Sequence, residues 1–266
     1  MENSCRFLPW FFRKMILVAV ILLPLFLAGA EPGQKLLEKK STHFIVYYSP
    51  GIDASAVDDI IRKGEQYYQS ITDKIGFTRF DFWTWEKRCK IYLYATLDDY
   101  HKATGQAEWA QASVEAGPRV MYAAMAEKDL FLNTVLPHEM THLIFREFAG
   151  YGIPLWLSEG MACFMEQAAD KPRIFSAKLL AKTPMFIDFA TLVSGQDAII
   201  QQMPDIFYDE SASLVEFLLR DYGKEKFSDF CLSLRDQTGL SQAIEKVYGF
   251  KSLRDMDAKW REFLSR

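Results

Sequence analysis

The sequence predicts an α+β fold, in which a small mixed β-sheet lobe with helices precedes an all-helical C-terminal lobe. Short runs of β-branched and aromatic residues beside turn-forming residues, a pattern typical of strands, fall before residue 125. Apolar residues recur at helical spacing between residues 209 and 264. The chain of 266 residues is 50% hydrophobic and 25% charged, which is an ordinary globular composition with enough apolar material for a core.

Three strands and two helices are predicted in the first half of the chain. The predicted strands cover residues 43–48, 89–95 and 119–124. The predicted helices cover residues 53–75 and 98–104. A glycine follows each of these helices and serves as its stop signal. Residues 31–41 are polar and basic and are interpreted as a linker, whereas residues 77–85 fit neither a strand nor a helix clearly.

The second half of the chain is predicted to be helical. Residues 170–204 contain three prolines and predict short helices separated by loops. Longer helices are predicted at residues 209–222, 224–235, 240–247 and 253–264. Gly223 ends the first of these helices, and Trp260 is expected to anchor their common core.

Residues 1–30 have the pattern of an export signal. Three positively charged residues precede an apolar run at 15–28, which ends in small residues that a signal peptidase can recognise. This run is shorter than the roughly 20 residues that a membrane span needs, and Pro24 interrupts it. Two interpretations stay open: a cleaved signal peptide, or an uncleaved N-terminal anchor that tethers the domain through residues 15–30. Both predict an exported domain, periplasmic or extracellular, and the second attaches it to the cytoplasmic membrane.

Charge and cysteine content exclude some classes of partner and fold. The net charge is -4 and no basic run occurs, so no nucleic-acid partner is predicted. Three cysteines follow the export segment: Cys89, Cys163 and Cys231. Because their number is odd and no Cys-x-x-Cys pair occurs, they cannot form a full disulfide framework. We interpret them as small buried hydrophobic side chains.

The central motif is His-Glu-x-x-His at residues 138–142, within an apolar run long enough for a helix. Four residues advance an α-helix by slightly more than one turn, so His138 and His142 lie on one face and can bind one zinc ion. Glu139 points about a quarter-turn away, where it can hold a metal-bound water. Thr134 is predicted as the N-cap of this helix, with Pro137 in the first turn, where a missing N–H removes no helical hydrogen bond.

A third ligand must come from another part of the chain, since a catalytic zinc usually has three protein ligands and one open position. The metzincin pattern needs a glycine and a third histidine where this chain has Phe145 and Phe148, so that class is excluded. Pro154 can open a second helix with Glu159 in its first turns. A carboxylate there can meet the two imidazoles where the two helices pack together.

His-Glu-Met-Thr-His followed by Pro-Leu-Trp-Leu-Ser-Glu-Gly-Met-Ala resembles the gluzincin zinc metallopeptidases of the peptidase MA-like family. The resemblance extends more diffusely over residues 40–260. It implies that His138, His142 and Glu159 bind Zn²⁺ and that Glu139 is the catalytic base. It also implies hydrolysis of peptide bonds in a peptide or protein substrate, which pairs with an edge strand identified here as 119–124.

The same resemblance implies a domain at residues 31–266 with two lobes. The α/β lobe with the active-site helix covers residues 31–149, and the helical lobe covers residues 150–266. Many gluzincins use a tyrosine or histidine of the second lobe as an oxyanion donor. No histidine follows His142, so a tyrosine is the available type. Tyr208 is the first choice because it opens the helix of a family-like segment, although a tyrosine at a helix start is often a packing residue.

Other features of the family pattern are less well matched. Tyr151 and Tyr222 are weaker candidates for the oxyanion donor. The thermolysin group has an aspartate four residues after its glutamate ligand, where this chain has Cys163. Glu166 can orient a histidine in its place, or it is a surface residue. The alternative function is a catalytically silent zinc-binding envelope protein that uses the same fold as a binding module. A membrane-tethered processing protease is a third possibility if the N-terminal segment is retained.

Overall fold

A computed structural model describes residues 36–77, 83–108, 110–115, 117–166 and 173–266. The predicted export segment at residues 1–30, including the tether at 15–30, lies outside the described residues. Among the helices of the described ranges, none is both long enough and apolar enough to cross a membrane.

The described strands form one mixed five-stranded sheet, in agreement with the predicted α+β class. The strands are β1 (Leu37–Lys40), β2 (Phe44–Tyr48), β3 (Cys89–Tyr94), β4 (Ala112–Glu115) and β5 (Val120–Ala124). Their order is β1-β2-β3-β5-β4. β2, β3 and β5 run parallel to one another, whereas β1 and β4 pair antiparallel at the two ends. The three predicted strands are therefore the three parallel central ones.

Both antiparallel strands were missed by the sequence prediction. β1 lies inside the polar segment 31–41, which was interpreted as a linker, and most of its residues are exposed. β4 consists of small and polar residues, Ala-Ser-Val-Glu. Short, charged or polar strands are common at sheet edges, where they discourage pairing with other chains. Hydrophobic alternation therefore gives little signal for such strands.

The edge-strand assignment was also wrong. β5, which matches the predicted strand 119–124, lies between β3 and β4 and is paired on both sides, with Met121 opposite Ile91 and Val114. The edge next to it is β4, whose residues were not assigned to any element. The order along the chain is thus not the order in the sheet, because β4 folds back outside β5.

Two helices connect the strands as predicted. α1 (Ala54–Lys74) begins after Asp53, whose side chain accepts a hydrogen bond from the Ser55 N–H at 3.1 Å. It joins β2 to β3, since parallel strands need a crossover connection. α2 (Leu97–Thr104) begins after Thr96, whose hydroxyl accepts from the Asp99 N–H at 3.1 Å.

The motif helix begins earlier than predicted. α3 (Lys128–Leu130) continues through a π-helical segment, Phe131–Val135, directly into α4 (Leu136–Ala149). Thr134 is therefore not an N-cap but a buried residue within a continuous helical run. Pro137 has no N–H to donate, and its ring would collide with the carbonyl four residues earlier in a regular helix. The wider π-helical turn immediately before it accommodates the proline.

The described elements after α4 are all helices, as predicted. They are α5 (Leu155–Met165), α6 (Arg173–Leu180), α7 (Phe189–Ser194), α8 (Gln196–Gln202), α9 (Pro204–Arg235), α10 (Leu240–Tyr248) and α11 (Leu253–Ser265). Within α9 the helical geometry breaks at Gly223, which has a positive φ of 85°. A glycine adopts that conformation without steric cost, so the predicted helix boundary at this residue is confirmed.

One contiguous hydrophobic cluster joins the sheet, α1, α4 and the C-terminal helices. Alternate residues of β2 and β3 face this cluster, among them Phe44, Val46, Ile91 and Leu93. Trp260 is fully buried in it, as predicted. The three cysteines that the structure describes are free and buried, so their interpretation as small core side chains is confirmed. Nearly all of α4 lies inside this core, which places its polar residues away from bulk water.

Candidate metal centre

The packing of α5 against α4 brings the predicted metal ligands together. His138 and His142 project from one face of α4 and are 1% and 3% exposed. Glu159, in the second turn of α5, faces them and is 2% exposed. We call these three residues the two-histidine set. They form a buried group that could hold a metal ion.

The distances within the two-histidine set suit a small tetrahedral ion. The Nε2 atoms of His138 and His142 are 3.1 Å apart. Each Nε2 lies 3.6 Å from Oε2 of Glu159. Metal–ligand distances of about 2.0–2.2 Å at a tetrahedral angle place ligand atoms about 3.3–3.5 Å apart. The donor atoms therefore already stand close to the separations that zinc requires.

The Glu159 carboxylate lacks a hydrogen-bond donor for one of its oxygens. Its Oε2 is buried and has no hydrogen-bond partner among the described residues. Burial alone would raise the pKa of Glu159, but the neighbouring imidazoles of His142 and His138 lower it. An ionised, buried oxygen without a donor costs free energy. A cation between the three donor atoms would remove that cost, so the residues fit a metal.

Hydrogen bonds on the opposite ring nitrogens orient both histidines. Nδ1 of His138 donates to Oε1 of Glu166 at 2.8 Å, and Nδ1 of His142 lies 3.2 Å from Oγ of Ser158. Because an ionised carboxylate only accepts hydrogen bonds, Nδ1 of a neutral His138 carries the proton and its Nε2 carries the lone pair that a metal needs. Glu166 is thus the orienting carboxylate and not a surface residue, since its side chain is 7% exposed.

Ser158 was not singled out from the sequence, although it lies inside the Trp-Leu-Ser-Glu-Gly segment. The sequence feature that could have identified Ser158 was its position one residue before the predicted ligand Glu159. A residue adjacent to a ligand on a helix points to a different side of that helix. The contact with the second histidine became visible only once the crossing of α4 and α5 was known.

Glu139 has the properties of a base. Its side chain is 1% exposed, and neither carboxylate oxygen has a hydrogen-bond partner within the part of the chain that the structure describes. Burial raises its pKa; the histidines oppose that shift, and the charges of Glu159 and Glu166 reinforce it. A carboxylate with a raised pKa accepts a proton more readily near neutral pH. Both oxygens remain available to a water molecule or substrate.

Tyr208 packs beside Arg173, and its ring centroid lies 6.0 Å from the guanidinium carbon. It is 7% exposed in the second turn of α9, which opens at Pro204, so the expectation that Tyr208 opens the helix was wrong. Burial raises the pKa of its phenol well above the usual value, and the charge of Glu159 adds to the shift.

The two weaker tyrosine candidates lie in other surroundings. Tyr151 is 74% exposed, and its ring lies 5.2 Å from the Arg146 guanidinium. Tyr222 packs in an aromatic cluster with Phe217, Tyr248 and Phe250. Both environments are those of structural or surface residues.

Gly160 allows α9 to approach the helix that carries Glu159. A Cβ atom at Gly160 would lie 2.4 Å from the backbone oxygen of Ser211 and 3.0 Å from Cγ2 of Val215. No side chain fits in that space. The glycine after the glutamate therefore allows close packing between α5 and α9.

Among the described strands, the edge strand β4 lies against α4, the helix that bears His138 and His142. One side of β4 pairs with β5, and β4 ends the sheet on its other side. Its outer backbone groups can form main-chain hydrogen bonds with an extended peptide. This is the property that was assigned in error to strand 119–124.

The comparisons with known proteins agree with this geometry at the level of the family. A sequence comparison with curated proteins found no significant match. A family model described as the Peptidase MA superfamily matches residues 84–266. The match includes α4 and α5 and all of the described C-terminal helices, and it begins after the first part of the diffuse resemblance predicted for residues 40–260. Because it covers more than half of the chain, this protein belongs to the Peptidase MA superfamily.

Proposed function

We propose that this member of the superfamily is a zinc-dependent peptidase of the gluzincin type. The observation that carries the proposal is the buried triangle of donor atoms in the two-histidine set, with an unpartnered oxygen on Glu159. Membership of the Peptidase MA superfamily supports a peptidase-like function. The donor types, two imidazoles and one carboxylate with an open fourth position, are those of catalytic zinc sites.

Each residue around the two-histidine set has a different role in the proposed hydrolysis. A bound zinc ion supplies Lewis acidity, which acidifies water and polarises a carbonyl group. Glu139 takes the proton of the attacking water and passes it to the leaving amine. Its unpartnered oxygens and raised pKa support this role. Tyr208 donates a hydrogen bond to the oxyanion. Its burial beside Arg173, which bonds the Glu166 carboxylate next to His138, supports this role.

We propose a peptide or protein substrate that adds to the sheet at β4. An extended segment at this edge would form main-chain hydrogen bonds, which recognise a backbone without demanding one sequence. The contact between β4 and α4 supports this placement, because α4 is the helix that bears Glu139. Residues 1–30 support an exported protein, either released by signal cleavage or anchored through residues 15–30.

The test is the replacement of Glu139 by glutamine, which keeps the shape of the side chain and removes its basicity. We expect kcat/KM on a broad peptide library to fall at least about 100-fold, the lower range for loss of a general base. Zinc content, measured by plasma mass spectrometry, should stay at the wild-type value. Cleavage products are identified by mass spectrometry.

Glu159→Gln is the matched control, because it should reduce both zinc content and activity. Full activity of Glu139→Gln would refute the assignment of the base. Zinc binding by the wild type without cleavage of any library peptide would instead support the silent zinc-binding envelope protein.

A further inference from the structure

A second group of possible metal ligands shares His138 with the two-histidine set. His138, Cys163 and Glu166 offer one ligand atom each, and these atoms all lie within 4.8 Å of one another. We call them the thiol set. Nδ1 of His138 faces the thiol set, whereas Nε2 faces the two-histidine set. Both sets are nearly enclosed by protein, since Cys163 is 4% exposed and the Glu166 side chain 7% exposed.

The thiol set has donors that metals favour. Cysteine and histidine are the commonest zinc ligands in structural sites, and thiolates bind soft divalent ions strongly. On donor chemistry alone, this set would compete with the two-histidine set for an ion. An ion at the thiol set would also replace the bond between His138 and Glu166 that orients the imidazole.

A cation of the protein itself already lies beside the thiol set. Arg173, the first residue of α6, places Nη2 3.0 Å and Nε 3.2 Å from Oε2 of Glu166. Its Nη1 donates to Oδ1 of Asp209 at 3.0 Å, so the guanidinium is fixed from two sides. Burial raises the pKa of the Cys163 thiol to about 11, and the nearby charge of Arg173 opposes that rise. The guanidinium thus repels a second cation and occupies one of the carboxylate oxygens that the cation would need.

We propose that Arg173 is a positioning residue that directs the metal ion to the two-histidine set. It does so in two ways: it holds Glu166 on Nδ1 of His138, and it excludes metal from the thiol set. The inference rests on the proposed function in one respect, namely that the two-histidine set binds zinc. The new element is that Arg173, which belongs to neither ligand set, determines which set binds the metal ion.

The test uses Co²⁺ as the probe, added to the metal-free full chain. Thiolate bound to Co²⁺ gives a charge-transfer absorption band in the near ultraviolet, and imidazole and carboxylate ligands do not. We expect wild type to bind one ion without this band. Arg173→Gln should show the band, and its affinity at the two-histidine set should fall about 10–100-fold, the usual effect of losing an outer hydrogen-bond partner.

Three further variants identify the cause. Adding Cys163→Ser to Arg173→Gln should abolish the band. Arg173→Lys keeps the positive charge and should show no band. Arg173→Met, neutral and of similar length, replaces the glutamine variant if that variant fails to fold, as judged by circular dichroism.

Two results would overturn the inference without affecting the proposed zinc site. One is a neutral variant at residue 173 that folds, lacks the band and binds Co²⁺ as tightly as wild type. The other is a thiolate band in the wild type itself, which would mean that the thiol set is already used. A wild type that binds no Co²⁺ at all would overturn the proposed function, and the inference with it.

Discussion

The close contact between α5 and α9 at Gly160 allows the loss of stability on replacing this glycine by alanine to be predicted. Alanine at this position would place its Cβ 2.4 Å from the Ser211 carbonyl oxygen and 2.7 Å from the carbonyl carbon. Ordinary contacts of a Cβ atom begin near 3.4 Å. The overlap is therefore about 1 Å, and it is with backbone, which cannot rotate away as a side chain can.

The expected cost of Gly160→Ala is at the upper end of the range for overpacking, about 3 kcal/mol. For a domain of this size, each kcal/mol of lost unfolding free energy lowers the melting temperature by about 2–4 °C. We therefore expect the melting temperature to fall by about 6–12 °C. Because Glu159 is the preceding residue, separation of α5 from α9 should also displace its carboxylate and weaken zinc binding.

Thermal unfolding followed by circular dichroism measures the first effect, and zinc competition with a chelator measures the second. Gly152→Ala is the matched control, since a Cβ there meets no atom within 4 Å. The control should melt within about 1 °C of wild type, as surface substitutions usually do. A melting temperature for Gly160→Ala equal to that of the control would refute this account of the helix contact.

Two other residues give independent predictions. Tyr208→Phe should lower kcat about 100-fold or more, as loss of one oxyanion donor does, with zinc content unchanged; steady-state kinetics within twofold of wild type would remove it from the mechanism. Glu210 is fully buried, and burial raises its pKa from 4.5 to about 8, so the folded state keeps a proton that the unfolded state loses above about pH 4.5. Wild type should therefore lose about 3–4 kcal/mol of unfolding free energy between pH 5 and pH 8 relative to Glu210→Gln. Urea titrations at the two pH values measure this difference, and equal pH dependence in both proteins would contradict it.

Features with a local cause could be predicted from the sequence. The parallel strands could be predicted because β-branched and aromatic residues dominate them. In β3, Cys89, Ile91 and Leu93 are buried, and the residues between them are partly buried. Helix ends at Gly105 and Gly223 were found because glycine adopts positive φ without cost. The pairing of His138 and His142 could be predicted because the helical repeat alone places them on one face.

Features set by contacts between distant segments could not be predicted in this way. β1 and β4 owe their pairing to the central strands and carry too few apolar residues to be recognised. Glutamate is usually a surface residue, and the burial of Glu166 is explained only by its hydrogen bonds to His138 and Arg173. The π-helical turn was missed because proline near a helix start and proline after a π-helical turn have the same local sequence signal.

Three buried carboxylates in this protein each have at least one oxygen without a hydrogen-bond partner among the described residues: those of Glu139, Glu159 and Glu210. The free-energy cost of burying such an oxygen is offset in a different way for each residue. Glu210 can keep its own proton, because its raised pKa of about 8 lies above neutral pH. Glu159 has a lowered pKa between two imidazoles and stays ionised, so a cation suits it.

Glu139 lies between these two cases. Its pKa is raised, yet the two histidines oppose the shift, and no fixed donor reaches its oxygens within the described structure. Burial without a partner costs free energy that natural folds rarely leave uncompensated. A carboxylate in this state can gain hydrogen bonds only from a molecule that enters the site. Under the proposed function that molecule is the attacking water, and Glu139 is the group that would accept its proton.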